Sequence, residues 1–254
     1  MQAGRASRLA EHPVSDARVP RLDLTDWQTS YGLVAGVTSR RGGFDLGLTS
    51  PDHGGVEERW QSLRTAFSPS FSTIVVSRQV HGTALARAEA GAVGIRLLDG
   101  FDGHVTVEPG VLLAVTVADC VPVYLAEPVS GAVALIHAGW RGVAAGILER
   151  GLAKLMEVSK VPAADIVMHC GVAICGGCYE VGPEVVEAVV GSRPTGRQRL
   201  DLRAALAERA WSLGLRTITV SPHCTAHGRE TFFSHRGSGG VDGRMAAYLG
   251  RPMP

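Results

Sequence analysis

Three residues of this sequence combine donor types that can hold a transition metal: His81, Cys120 and His137. Each follows a stretch that reads as a strand and sits beside glycine or a turn, in RQVHG, ADCVP and LIHAGWRG. Strand ends suit catalytic groups, because a rigid sheet aims the side chain while the adjoining loops leave room for substrate. Two imidazoles and a thiolate are a good zinc set, and three protein ligands leave a fourth position for water. Zinc brings the pKa of such a water near neutrality. The three residues are far apart in the chain, so this is not a local zinc finger, and a single zinc per chain is expected. A metal-free alternative uses the same residues, with Cys120 as the nucleophile of a cysteine hydrolase and His137 or His81 as its base.

Neighbouring residues extend the candidate site. Gln79 is two positions before His81 and shares its side of an extended chain. Asp119 adjoins Cys120 and reads equally well as a pocket residue or as a turn residue that orients a ligand histidine. Arg141 stands at the start of a predicted helix over 142–156, where a cation beside free backbone N–H groups suits phosphate or carboxylate. A surface ion pair explains Arg141 equally well. Trp140 reads as a stacking platform or as core. The C-x-x-C of ICGGC (174–178) reads as redox-active, as part of a second metal site with Cys170 and Cys224, or as free thiols in a loop. No Walker A loop, GxGxxG, GxSxG or HExxH is present.

The elements that must position these residues follow from periodicity. Strands are predicted at Leu33–Ser39, Ser72–Arg78, Leu112–Val117, Val121–Leu125, Ala132–Ile136, Ile166–Met168, Leu215–Val220 and Met245–Leu249. A glycine-rich loop follows Ser39, and a short helix is predicted over 56–67. Val143, Ile147, Leu148, Leu152, Leu155 and Met156 fall on one face at helical spacing. Further helices are predicted over Val181–Val190 and Leu202–Leu213. The expected fold is α+β, one domain with a mixed β-sheet and flanking helices. Residues 1–20 are expected to be a frayed tail, and 21–254 the catalytic domain.

Composition narrows the function. Of 254 residues, 45% are hydrophobic and 19% charged, which suits a folded core and excludes disorder. A formal net charge of +1 carries no broad footprint for nucleic acid or acidic membrane. The apolar runs around 111–117 and 132–136 are too short to span a bilayer, and the N-terminus has no apolar signal segment. Five cysteines, an odd number, fit reduced cytoplasmic thiols better than a secreted disulfide framework. The oligomeric state is left open.

The segments QVHG (79–82), TVADCVPV (116–123), HAGWRG (137–142), GVAICGGCYEVG (171–182) and CTAHGRETFFSHRG…GRMAAYL (224–249) resemble the laccase-domain family. That family is also called multicopper polyphenol oxidase or peptidoglycan editing factor, and is also read as purine nucleoside phosphorylase. The resemblance runs from about residue 33 to the C-terminus and puts the family's zinc ligands on His81, Cys120 and His137. It implies phosphorolysis of purine nucleosides and methylthioadenosine, with inorganic phosphate as co-substrate, and adenosine deamination in the same site. It also brings Arg236 into the candidate substrate residues. A role in editing cell-wall precursors attaches to the family name alone. The chain departs from the family pattern at Asp45-Leu46-Gly47, Glu58-Arg59-Trp60, Val172 and His235-Arg236-Gly237, which bears on substrate range and not on the metal ligands. Copper oxidase chemistry is not expected, because no two of the nine histidines form an H-x-H pair. Adventitious copper binding is expected, since copper(II) outranks zinc for such ligands.

Overall fold

The computed structural model describes residues 6–15, 18–91 and 93–254. Its framework is two seven-stranded sheets packed face to face, where one mixed sheet was expected. The first sheet runs in the order Ser7–Arg8, Thr217–Val220, Val167–Cys170, Val121–Glu127, Ala132–Ala138, Gly103–Thr106, Leu85–Arg87. The second runs His12–Pro13, Arg21–Asp23, Val34–Thr38, Met245–Gly250, Val111–Val117, Thr73–Arg78, Gly94–Asp99. Both sheets mix parallel and antiparallel pairs, so the α+β class holds.

Strand sequences explain the layering. The central strands are apolar at nearly every position, because successive side chains alternate between two buried faces. Along Val111–Val117, Leu113, Val115 and Val117 face the other sheet, where they meet Tyr124, Val133 and Leu135. Leu112 and Ala114 point the opposite way, onto Trp60, Leu63 and Phe67 of helix His53–Phe67. On the first sheet, Val123, Leu125, Ala134 and Ile136 support helices Ile147–Ser159 and Leu202–Ser212. The result is helix, sheet, sheet, helix. Polar ties also cross between the sheets: Tyr124 donates to the Gly36 carbonyl at 2.8 Å, and Ser77 bonds His104 at 2.7 Å.

Two further expectations change. The helix predicted over 142–156 is two helices, Trp140–Ala144 and Ile147–Ser159. The chain turns at Gly146, whose φ of +85° suits a residue without Cβ. The apolar spacing is compatible with a continuous helix, so it hid the break. Within the predicted tail, Ser7–Arg8 and His12–Pro13 are edge strands. Between them Glu11 is buried, bonded to His169, Ser221 and the Val172 N–H. Those partners come from distant segments, so nothing local marked residues 6–15 as ordered; residues 1–5 and 16–17 lie outside the described residues. No helix among the described residues is long and apolar enough to cross a membrane.

Candidate metal centre

His81, Cys120 and His137 converge at one shared edge of the two sheets, with donor atoms within 4.8 Å of one another. The two imidazoles meet edge to face, their centroids 4.9 Å apart. His137 belongs to strand Ala132–Ala138. Cys120 ends the crossing from strand Val111–Val117 of the second sheet to Val121–Glu127 of the first. His81 follows strand Thr73–Arg78 in a turn.

The backbone at this edge is strained. His81 and Asp119 have φ of 59° and 86°, left-handed values that residues with a Cβ adopt at a cost of about 1–3 kcal/mol each. Two such residues next to one cluster make it a candidate functional site, because only surrounding structure can hold them there. Space is tight at Gly139. A Cβ there would stand 3.1 Å from the Cys120 sulfur and 3.1 Å from the His81 ring.

Asp102 organises the cluster, and its side chain is wholly buried. Its carboxylate accepts the backbone N–H groups of Val80, His81 and Gly82 at 3.2, 2.9 and 2.7 Å. It also lies 2.9 Å from Nδ1 of His137, and its carbonyl accepts the His137 N–H at 2.7 Å. One residue thus shapes the His81 turn and orients the His137 ring, leaving Nε2 of His137 to face Cys120 and a metal. The sequence reading missed Asp102, because an aspartate in GFDG reads as an ordinary turn residue.

Charges are coupled here. Burial alone would push the Cys120 thiol up, but the charge of His137 and hydrogen bonds from His137 and His81 bring it down to about 6. Burial works against a charged His137, yet Cys120 and Asp102 raise it to about 9. Burial likewise opposes the charge of Asp102, and His137 with the Gly82 N–H holds its carboxyl below the usual range. These shifts favour a thiolate, an imidazolium and a carboxylate in series.

The other expected residues fall in different places. Gln79 reaches the site, but its amide is spent on Thr116: Nε2 donates to the Thr116 carbonyl at 2.9 Å, and Oε1 accepts the Thr116 N–H at 2.8 Å. Asp119 bonds no histidine. Its carboxylate instead gathers Thr225, Ser234 at 2.7 Å and the Arg236 N–H at 2.6 Å. Arg236 sends its guanidinium over Tyr179, 5.0 Å from the ring centroid, and to the Glu180 carbonyl. Arg141 is exposed and lies over Trp140, 4.5 Å from the ring centroid. Trp140 itself packs on the core. Tyr179, missed by the sequence reading, joins these groups. Burial and the nearby Cys120 charge raise its phenol to about 12, against the opposing charges of Arg236 and Arg141.

A cavity of about 310 Å³ opens onto His81, Cys120 and His137, with Thr49, Gln79, Thr116, His235 and Arg244 in its walls. Its size falls within the range of small-molecule sites. The glycine-rich loop that brings Thr49 is anchored by Asp45, which accepts the Gly47 N–H at 2.8 Å and the Arg244 N–H at 2.7 Å.

An α+β fold with a His–Cys–His cluster at a cavity mouth defines a candidate metalloenzyme. The family described as multi-copper polyphenol oxidoreductase laccase matches residues 34–252, and the chain belongs to that family. It is 33% identical over 248 residues to the purine nucleoside phosphorylase YlmD of Geobacillus stearothermophilus, covering 87% of this chain and 90% of the relative. A purine nucleoside phosphorylase of Streptomyces coelicolor is 33% identical over 237 residues, covering 87% and 96%. The crystal structure of YlmD from Geobacillus stearothermophilus superposes with a TM-score of 0.86 at 31% identity, covering 96% of this chain and all of that one.

Proposed function

We propose that the chain is a zinc-dependent purine nucleoside phosphorylase of the cytoplasm, with methylthioadenosine phosphorylase and adenosine deaminase activity in the same site. The observation that carries this reading is the convergence of His81, Cys120 and His137 on a nucleoside-sized cavity. The similarity to the two phosphorylases over most of the chain supports it.

The donor set fits zinc, with one thiolate, two imidazoles and an oriented second nitrogen on His137. His81, Cys120 and His137 would hold the zinc, which would supply a Lewis acid. The chain's own residues do the rest. Asp102 fixes the ring of His137 and the turn of His81. Gln79 holds the cavity wall by clamping Thr116, which exposes the wall's shape to the nucleoside. Arg141 and Arg236, both within electrostatic reach of Tyr179, draw in inorganic phosphate and offset the charge that develops as the bond from ribose C1′ to the purine breaks.

One observation favours a second reading. Cys120, His137 and Asp102 stand in the order nucleophile, base, orienting carboxylate, the arrangement of a cysteine hydrolase. Zinc dependence separates the two, since a working nucleophile cannot also be a tight ligand.

Multi-copper oxidation of phenols lacks the ligands. His104, His169 and His223 are committed to Ser77, Glu11 and the Glu11 carbonyl at 2.7, 3.1 and 3.1 Å. Copper at the three-residue site is adventitious in this reading.

The experiment is product identification from adenosine, inosine and methylthioadenosine, each with phosphate, using protein of known metal content. Free base with a pentose 1-phosphate reports phosphorolysis; inosine with ammonia from adenosine reports deamination. Neither product from any of the three would overturn the proposal.

A further inference from the structure

A second cluster of soft donors lies outside the cavity. Cys175, Cys178, Cys224 and His227 bring four ligand atoms within 4.8 Å of one another. The grouping read from sequence has one wrong member. Cys170 ends a central strand and packs in the core below helix Leu202–Ser212, away from the other thiols. His227 takes its place.

Two tight turns build the cluster. In the first, the Cys178 N–H donates to the Cys175 carbonyl at 3.0 Å; in the second, the Gly228 N–H donates to the Cys224 carbonyl at 2.8 Å. Each turn brings residues three apart to the same side, so Cys175 pairs with Cys178 and Cys224 with His227. A parallel bridge between Ala173 and Cys224 then sets the turns side by side. The Cys178 sulfur lies 3.1 Å from Nε2 of His227, and the Cys175 sulfur 3.9 Å from Nδ1. The Cys175 N–H points at the Cys224 sulfur at 3.3 Å, as donors around a thiolate ligand do.

We propose that Cys175, Cys178, Cys224 and His227 form a second zinc site, with a structural role. The spacing matches: ligands at zinc–sulfur and zinc–nitrogen lengths on a tetrahedron lie roughly 3.3–3.8 Å apart, so small shifts bring these four into place. Three thiolates and one imidazole from two C-x-x-[CH] turns are a closed structural set, with no position for substrate. Three thiolates favour zinc over magnesium or calcium, which prefer oxygen.

The location gives the site a task. Ile174, one residue before the first ligand, donates its N–H to the Asp119 carbonyl at 3.1 Å. Thr225, one residue after Cys224, bonds the Asp119 carboxylate. Tyr179, which follows Cys178, feels the charge of Cys120. The ion therefore clips together the two segments that hold the Cys120 turn and carry Tyr179 and Arg236. It acts as a positioning device for the first site and touches no substrate.

The test is metal stoichiometry with cobalt spectroscopy on the full chain, purified under reducing conditions. Wild-type protein should hold about two zinc ions, and both the C175S/C178S and H81A/H137A variants about one. Cobalt(II) in H81A/H137A should show sulfur-to-cobalt absorption about threefold stronger than in C175S/C178S, since three thiolates are bound in place of one. If C175S/C178S does not fold, the wild-type cobalt spectrum decides alone: it should carry about four thiolate bonds, and a single one overturns the proposal. One zinc in the wild type, unaffected by C175S/C178S, overturns it too, as does a Cys175–Cys178 disulfide in the freshly purified chain.

Discussion

The Asp102 carboxylate oxygen that lies 2.9 Å from Nδ1 of His137 is the same oxygen that accepts the His81 N–H at 2.9 Å. One buried atom therefore sets the approach of both imidazoles toward Cys120. A ligand pair tied to a single carboxylate loses both orientations when that carboxylate changes.

Asp102→Asn should lower zinc affinity at the first site about 10–100-fold, the usual loss when the partner of a ligand histidine is removed. It should also cost about 1–3 kcal/mol of stability, because a backbone N–H or the His137 ring loses a buried acceptor. Chelator competition and thermal unfolding measure the two. Unchanged affinity would show that Asp102 does not orient the ligands.

Gly139→Ala tests the geometry from the other side. Its φ of −79° accepts alanine, so the backbone is not strained. The added methyl meets the Cys120 sulfur and the His81 ring at 3.1 Å, and it should spread the ligands while the fold persists. Displacing reacting groups by about 1 Å costs on the order of 100-fold in rate, so the few tenths of an ångström needed here should lower activity by less, up to about tenfold. A variant with native far-ultraviolet dichroism and native activity would contradict this account.

How much of this was legible in the sequence depends on what holds each residue. The convergence of His81, Cys120 and His137 could be anticipated because each lies near the end of a strand, next to a glycine or turn, and these local signals survive without a structure. Asp102 could not, because its importance rests on three N–H groups and a ring contributed from elsewhere in the chain. His227 escaped for a similar reason: a bridge between Ala173 and Cys224 sets its neighbours, and Cys170 was as good a donor by type alone. The two-sheet architecture was hidden because strands buried on both faces read as plain apolar runs, which do not say which partner lies on which side.

The pH dependence of metal binding follows from the coupled pair. Zinc needs a thiolate and a neutral imidazole. With the Cys120 thiol at about 6 and His137 at about 9, the thiolate is present at pH 7 while His137 must still release its proton. Zinc affinity at this site should therefore rise about tenfold per pH unit between 6 and 8, flatten towards 9, and rise more steeply below 6, where Cys120 is protonated too. Competition titrations on C175S/C178S isolate the site. A flat profile between pH 6.5 and 8.5 would contradict the assigned charges.

Arg141→Ala should raise the KM for phosphate and leave nucleoside binding nearly unchanged. Losing one charge-assisted contact to an anion costs roughly 1.5–3 kcal/mol, a change of about 10- to 150-fold. The exposed guanidinium rests only against Trp140 among the contacts described, so the fold should not suffer. Steady-state kinetics with phosphate varied at saturating inosine give the answer, and an unchanged KM would remove Arg141 from the site.

The most direct test of the central claim is the formation of ribose 1-phosphate from inosine and phosphate by zinc-loaded wild-type and Cys120→Ala proteins, each with its zinc content measured. The wild type should turn over steadily, and Cys120→Ala should lose both the first-site zinc and turnover, with the fold retained. Turnover by Cys120→Ala at the wild-type rate, or full activity in zinc-free wild-type protein, would contradict the claim.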